Sequence, residues 1–73
     1  MQIEVFKTNV EDLALASRAV EIIAENFAGY RANFDLSDCD RILRVVSCDD
    51  EIHSMAVIEA LSRMGCFAEI LSG

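Results

Sequence analysis

The run VIEALSRMGCFAEI, residues 57–70, gives the clearest folding signal in this chain of 73 residues. Its first half carries Ile58 and Leu61 at a helical spacing that marks one buried stripe. Gly65 follows at the place where helices commonly end with a residue in the left-handed region. Residues 66–71 then alternate with the period of a strand. The positions expected on the core side of that strand are Cys66, Ala68 and Ile70. The run therefore predicts a helix that leads directly into a strand.

The N-terminal part of the chain predicts a strand followed by a helix. Residues 2–7 alternate, with Ile3 and Val5 on the face expected to be buried and Phe6 on the other. The segment after them shows an apolar stripe at steps of three and four residues. The members of that stripe are Leu13, Ala16, Val20, Ile23 and Phe27. Gly29 stands where this helix is expected to end.

Asn9 is the expected N-cap of this first helix. Its side-chain oxygen can accept a hydrogen bond from the N–H of Glu11 or Asp12. Those two acids would then occupy the first turn, where the helix dipole favours negative charge. The segment between the first strand and the first helix is therefore predicted to start a helix.

The middle of the chain predicts a hairpin followed by a second helix. Residues 30–36 and 41–47 both read as strands, and the short link SDCD joins them. Asp38 and Asp40 lie in this link and are interpreted as turn formers rather than as an acid–base pair. The residues expected on the core side of the earlier strand are Ala32, Phe34 and Leu36. The candidates for the cap of the second helix are Asp49 and Asp50, and those for the start of its stripe are Ile52 and Met55.

These elements follow the order βαββαβ within a single domain, residues 1–73. The order is typical of the ferredoxin-like sandwich, an α+β fold in which a four-stranded antiparallel sheet carries both helices on one face. The other face would be open to solvent, and a contiguous apolar patch on it would indicate an interface for self-association or a protein partner. The residues expected on that face are Phe6, Ile42, Val46 and Phe67.

Composition argues against several classes of function. An apolar content of 53% and a mean hydropathy of +0.32 argue against disorder. No apolar run approaches the roughly 20 residues that span a bilayer. The formal charge of −7 would repel nucleic acid and anionic membranes, because binding to phosphate depends on Lys and Arg. It would attract a basic or metal-bearing protein, although an acidic surface also serves simply for solubility.

The cysteines indicate a reducing compartment. Cys39, Cys48 and Cys66 are odd in number and form no CxxC pair. No basic segment followed by an apolar segment marks a secretion signal. Free thiols in the cytoplasm are therefore expected.

With this order of elements, the sequence resembles the heavy-metal-associated domain family, the small copper-chaperone-like fold. In that family the second strand often reads VxVDL, and residues 32–36 read ANFDL. The second helix and last strand often read IIEAIxxxGYxAEV, which resembles residues 57–70, with Cys66 in place of the aromatic residue. The likeness covers residues 3–71 and implies the βαββαβ fold over nearly the whole chain.

The metal motif of that family is missing. Its MxCxxC signature at the end of the first strand corresponds to KTNVED at residues 7–12. Lys7 replaces the methionine, and Asn9 and Asp12 replace the two cysteines. Two thiolates at that spacing bind Cu(I) or Zn(II) because soft sulfur suits these ions, whereas an amide oxygen and a carboxylate do not. The sequence therefore predicts a degenerate member that has lost its metal site, and neither metal nor other cofactor is expected.

Three other sets of residues could bind a metal ion, and each also has a simpler structural interpretation. Residues 9–12 could hold Mg²⁺ or Ca²⁺, but such ions need six or more oxygen ligands, and helix capping explains these residues. The family fold places Cys66 near this turn, where it could supply one soft ligand or serve only as a small buried residue. Cys48 and His53 could begin a site at the opposite end, although zinc normally collects four ligands and a capping turn explains the segment.

The sequence predicts no enzyme. It has no glycine-rich phosphate loop, and a Cys–His nucleophile pair would need an orienting group and a cleft. The leading hypothesis is a small non-catalytic binding module in the cytoplasm that acts through protein contacts. The alternative is a metal-ion carrier with relocated ligands, either Cys66 or the pair Cys48 and His53. A third hypothesis, an ACT-like sensor of small ligands, would need a dimer with a pocket at its interface.

Overall fold

A computed structural model describes residues 1–37, 39–48 and 51–71. Within that part of the chain the elements follow the predicted order βαββαβ. They are β1 (Gln2–Thr8), α1 (Leu13–Asn26), β2 (Tyr30–Asp35), β3 (Ile42–Ser47), α2 (Ser54–Arg63) and β4 (Ala68–Ile70). The turn-forming role predicted for Asp38 and the capping roles predicted for Asp49 and Asp50 fall outside the described residues. Neither helix has the length and apolarity that crossing a bilayer requires.

The four strands form one antiparallel sheet in the order β2-β3-β1-β4. The hairpin of β2 and β3 is confirmed, with Tyr30 opposite Ser47 and Asp35 opposite Ile42. The two helices contact each other, and they pack on the sheet through α1 against β2 and α2 against β4. The ferredoxin-like sandwich predicted from the sequence is therefore confirmed.

The face of β1 that meets the helices is not the predicted one. Phe6 is fully buried, whereas Ile3 is 53% exposed. Phe6 lies opposite the fully buried Leu43, and Ile3 lies opposite Val46 on the other side of the sheet. The prediction that Phe6 points to the open face is wrong, because burying its aromatic ring removes more apolar surface from water than burying Ile3.

The other residues predicted on the open face differ in their exposure. Ile42 is buried, with 8% of its surface exposed, so it offers little surface to a partner. Val46 is half-buried and Phe67 is 57% exposed, so both remain accessible. The interface role predicted for these residues stays a prediction for Val46 and Phe67.

The helices bury slightly different residues from those predicted. Leu13, which was predicted in the buried stripe of α1, is 77% exposed. Of the two candidates for the start of the α2 stripe, Met55 is 73% exposed, whereas Ile52 is partly buried against the core. Ala19 is fully buried in α1 instead. Gly29 and Gly65 both have a φ of 86°, which agrees with their predicted positions after the two helices.

Candidate functional site

The turn after β1, at the position of the family's metal motif, is fixed at its start by Thr8. This residue is buried, and its hydroxyl donates a hydrogen bond to the Arg41 carbonyl oxygen at 2.6 Å. The same hydroxyl oxygen accepts from the Val10 N–H at 3.3 Å. The Thr8 N–H donates to the Asp40 carbonyl oxygen at 3.1 Å. The turn is therefore attached to the loop between β2 and β3, and Val10 lies fully buried beneath it.

Asn9 connects the turn to the chain before β4. Its Oδ1 accepts a hydrogen bond from the Phe67 N–H at 2.9 Å, and its own N–H donates to the Phe67 carbonyl oxygen at 3.3 Å. The prediction that Asn9 caps α1 is therefore wrong, because its side chain bonds to a residue distant in sequence. This bond satisfies a backbone donor just before a short edge strand.

Asp12 is the N-cap of α1. Its backbone is extended, with φ −122° and ψ 155°, and its Oδ1 accepts from the Leu15 N–H at 2.7 Å. The first turn of α1 contains no acidic residue, so the prediction that Glu11 and Asp12 occupy this turn is wrong. Glu11 instead lies 3.7 Å from the Arg41 guanidinium, an exposed contact of the kind that contributes little to stability.

Cys66 lies near this turn, as the family resemblance implied. Its side chain is buried, and its N–H donates to the Leu61 carbonyl oxygen at the end of α2. Burial raises the pKa of the Cys66 thiol, and the negative charge of Asp12 raises that pKa further. Metals bind the thiolate, so the surroundings of Cys66 oppose the form that a metal needs.

The end of the fold that holds this turn offers no complete ligand set in the described residues. No group of three or more His, Cys, Asp and Glu side chains is close enough to hold a metal ion in the described part of the chain. The side-chain oxygens of Asn9 and Asp12 already accept backbone hydrogen bonds. The chemistry of one amide, one carboxylate and one protonated thiol does not match Cu(I) or Zn(II).

Cys48 and His53 lie at the other end of the sheet, where Tyr30 organises the backbone. The Tyr30 hydroxyl donates to the Glu51 carbonyl oxygen at 3.1 Å and accepts from the His53 N–H at 2.9 Å. Both Cys48 and His53 have exposed side chains, and His53 occupies the N-cap position of α2 without a side-chain cap bond. Their role as metal ligands stays a prediction.

Tyr30 has a structural role that the sequence pattern does not predict. Its ring stacks on Phe27, with centroids 5.1 Å apart and planes 10° apart. Two aromatic residues on either side of Gly29 were the available signal, because a tight connection brings such rings together. The contact fixes the connection between α1 and β2.

The open face of the sheet carries a second candidate site, which we call the sheet-face cluster. It consists of Ile3, Val5, Val46 and Leu71. Ile3 lies directly opposite Val46, and the Leu71 N–H donates to the Val5 carbonyl oxygen at 2.9 Å. Ile3 is 53% exposed and Leu71 is 39% exposed. Of these four, the sequence pattern predicts only Val46 on this face, because it places Ile3 and Val5 in the core.

The strand residues around the sheet-face cluster carry a slight excess of positive charge, although the chain is acidic overall. The strand residues on this face include the bases Lys7, Arg31 and Arg44 and the acids Asp35 and Glu69. Three bases and two acids make the strand residues of this face slightly positive, whereas the whole chain has a formal charge of −7. An apolar centre with a charged rim is the arrangement found at many protein interfaces.

Comparison with known proteins relates the fold to a metal-binding domain. No protein-family model matches the chain, and no curated protein matches it in sequence. A solved structure of a copper-binding domain from HMA7, a P-type ATPase, aligns with a TM-score of 0.72 at 23% sequence identity. The alignment covers 99% of this chain and 96% of that domain. The chain therefore has a fold like that of a heavy-metal-associated domain, and this likeness establishes the fold alone.

Proposed function

We propose that this chain is a small non-catalytic binding module that acts through protein contacts and no longer binds metal at the turn after β1. One observation carries the proposal. The residues at the two cysteine positions of the family motif, Asn9 and Asp12, each use a side-chain oxygen to accept a backbone N–H. Both side chains therefore have structural roles that compete with metal binding.

The sheet-face cluster supports the part of the proposal that concerns protein contacts. Its four apolar residues adjoin one another on the strands, and such a patch on a small domain is typical of an interface. The nearby bases Lys7, Arg31 and Arg44 favour a protein partner that presents carboxylates around an apolar centre. The chain's overall charge of −7 disfavours nucleic acid and anionic membranes as partners. Three free thiols suit the reducing cytoplasm.

Site-specific photocrosslinking in living cells tests this interface. A photoreactive amino acid replaces Ile3 in one variant and Met55 in a matched control, because both side chains are well exposed but lie on opposite sides of the molecule. The proposal predicts a discrete crosslinked product from position 3 and none of the same mass from position 55. Identical products from both positions, or no product from position 3, would count against it.

The second candidate function is a metal-ion carrier with relocated ligands. The proximity of Cys66 to Asp12 favours it, since a thiol lies next to the position of the family motif. A carrier would take up Cu(I) or Zn(II) stoichiometrically and lose this capacity in Cys66→Ala or Cys48→Ala. Affinity no tighter than about micromolar, roughly −8 kcal/mol, would exclude it.

A further inference from the structure

The hydrogen bonds of β1 reveal which backbone groups of the sheet are paired. The Leu71 N–H donates to the Val5 carbonyl oxygen, and the Asn9 N–H donates to the Phe67 carbonyl oxygen. Odd-numbered residues of β1 therefore bond toward β4. Bonded positions alternate along an antiparallel strand, so the even-numbered residues of β1 bond toward β3.

The same alternation leaves unpaired groups on β2, which forms one edge of the sheet. Phe6 bonds with Leu43, so the backbone groups of Leu43 point away from β2. Phe34 lies opposite Leu43, and Ala32 lies opposite Val45. The backbone groups of Val45 point the same way as those of Leu43, because the two residues are two positions apart on β3. The N–H and C=O groups of Ala32 and Phe34 therefore point out of the sheet edge. Such an edge is a template for another strand.

We propose that two copies of this chain pair through β2, antiparallel, about a two-fold axis at Asn33. In this register Ala32 of each copy lies opposite Phe34 of the other, and each such pair exchanges both of its N–H···O=C bonds. On the open face, Arg31 of each copy lies opposite Asp35 of the other. The strand is therefore complementary to itself in backbone hydrogen bonds, in side-chain size and in charge.

Other registers lose this complementarity. A shift by one residue would set open-face residues against helix-face residues. A shift by two would place Arg31 or Asp35 opposite Asn33 and would remove the ion pairs, which stabilise strands when the charges lie directly across from each other. The Asp35 carboxylate is already oriented, because its Oδ1 accepts from the N–H and the hydroxyl of Ser37.

A second copy paired at this edge would also cover an apolar groove beside it. The groove has a volume of about 310 Å³ and lies between α1 and β2. Its lining includes Leu13, Ala16, Ser17, Val20, Ala32 and Phe34. Edge pairing continues the helix layer together with the sheet, so the α1 helices of both copies become neighbours. The second copy then covers Leu13, which is 77% exposed in the single chain.

This inference does not depend on the proposed function. The edge of β2 is separate from the sheet-face cluster, which lies on β1, on β3 and beside β4. Pairing at the edge engages Arg31 but leaves the four residues of that cluster, with Lys7 and Arg44, accessible to a different partner. A failure of one proposal is therefore distinguishable from a failure of the other.

Sedimentation equilibrium of the full chain under reducing conditions tests the pairing. The expected mass at high concentration is twice the 8.1 kDa of one chain. Arg31→Glu and Asp35→Arg should each weaken the dimer at least about tenfold in Kd, because each sets like charges across from each other. An equimolar mixture of the two variants should regain the dimer mass, since opposite charges then face each other at both positions.

Two controls separate edge pairing from general effects. Ala32→Pro removes an N–H that points out of the edge and leaves the bonds to β3 intact, so it should give a folded monomer. Arg44→Glu makes the same charge change on the inner strand β3 and should leave the dimer mass unchanged. Circular dichroism confirms that each variant is folded. A wild-type chain that stays monomeric at every concentration, a folded Arg31→Glu dimer as tight as wild type, or a mixture that stays monomeric would overturn the proposal.

Discussion

The Phe67 N–H donates a hydrogen bond to Asn9 Oδ1, and the Asn9 N–H donates back to the Phe67 carbonyl oxygen. This reciprocal pair extends the contact of β1 with β4 beyond the three residues of β4. It also occupies the side chain that stands at the first cysteine position of the family motif. Asn9, which the family resemblance places at a metal-ligand position, thus contributes to the closure of the sheet.

Asn9→Ala should lower the free energy of unfolding by about 1 kcal/mol, because it removes the acceptor of the Phe67 N–H. Asn9→Asp is the matched control, since it keeps an oxygen at Oδ1, and it should lose much less. Urea denaturation measures both. Equal losses in the two variants would show that the Oδ1 bond is not the source of the stability.

Asp12→Ala should also cost about 1 kcal/mol, in this case through the loss of the N-cap bond to the Leu15 N–H. Asp12→Asn keeps a capping oxygen and should preserve most of the stability. Glu11→Ala provides a comparison one residue away, where only the exposed contact with Arg41 is lost. A greater loss of stability in Glu11→Ala than in Asp12→Ala would contradict this assignment of the cap.

Phe6→Ala and Phe67→Ala together test the orientation of β1. Phe6 is fully buried, so its truncation should cost about 3–5 kcal/mol and unfold much of the protein at ambient temperature. Phe67 is 57% exposed, so its truncation should cost less than about 1 kcal/mol. Thermal denaturation followed by circular dichroism distinguishes the two. A similar, small effect of both changes would mean that Phe6 lies on the open face.

The free energy of unfolding should decrease at alkaline pH because of Cys66. Burial raises the pKa of this thiol above its ordinary value of 9.0, and Asp12 raises it further. The unfolded chain therefore releases its proton first, so the stabilisation is full below pH 9.0 and is lost as the pH rises through the pKa of the folded state.

Urea denaturation between pH 8 and pH 11, roughly the range in which a thiol titrates, measures this effect. Cys66→Ala should flatten the decline in the free energy of unfolding, whereas Cys48→Ala, at an exposed thiol, should leave the decline as in wild type. An unchanged slope in Cys66→Ala would contradict the assignment.

The order of the elements was predictable because each one carries a local signal. The apolar spacing, Gly29 and Gly65 mark the helices and their ends, and the alternation marks the strands. The orientation of β1 was not predictable from spacing alone. Ile3 and Val5 lie on one face and Phe6 on the other, and all three are apolar, so alternation does not show which face is buried. The packing of the helices on the sheet determines it.

The cap of α1 illustrates why the site could be predicted only in part. Asn9 and Asp12 are both good capping residues, and local propensity cannot choose between them. The choice depends on Phe67, which is distant in sequence and engages Asn9 across the sheet. The proximity of Cys66 to the turn followed from the family resemblance, whereas the sheet-face cluster depended on the true orientation of β1.

A competition titration of the reduced protein with Cu(I) tests the central claim, that the family frame remains while its metal site is lost. The wild-type chain should show no affinity tighter than about micromolar. The double variant Asn9→Cys/Asp12→Cys restores two thiols at the family spacing and should bind one Cu(I) far more tightly. Tight stoichiometric uptake of Cu(I) by the wild-type chain would contradict the account.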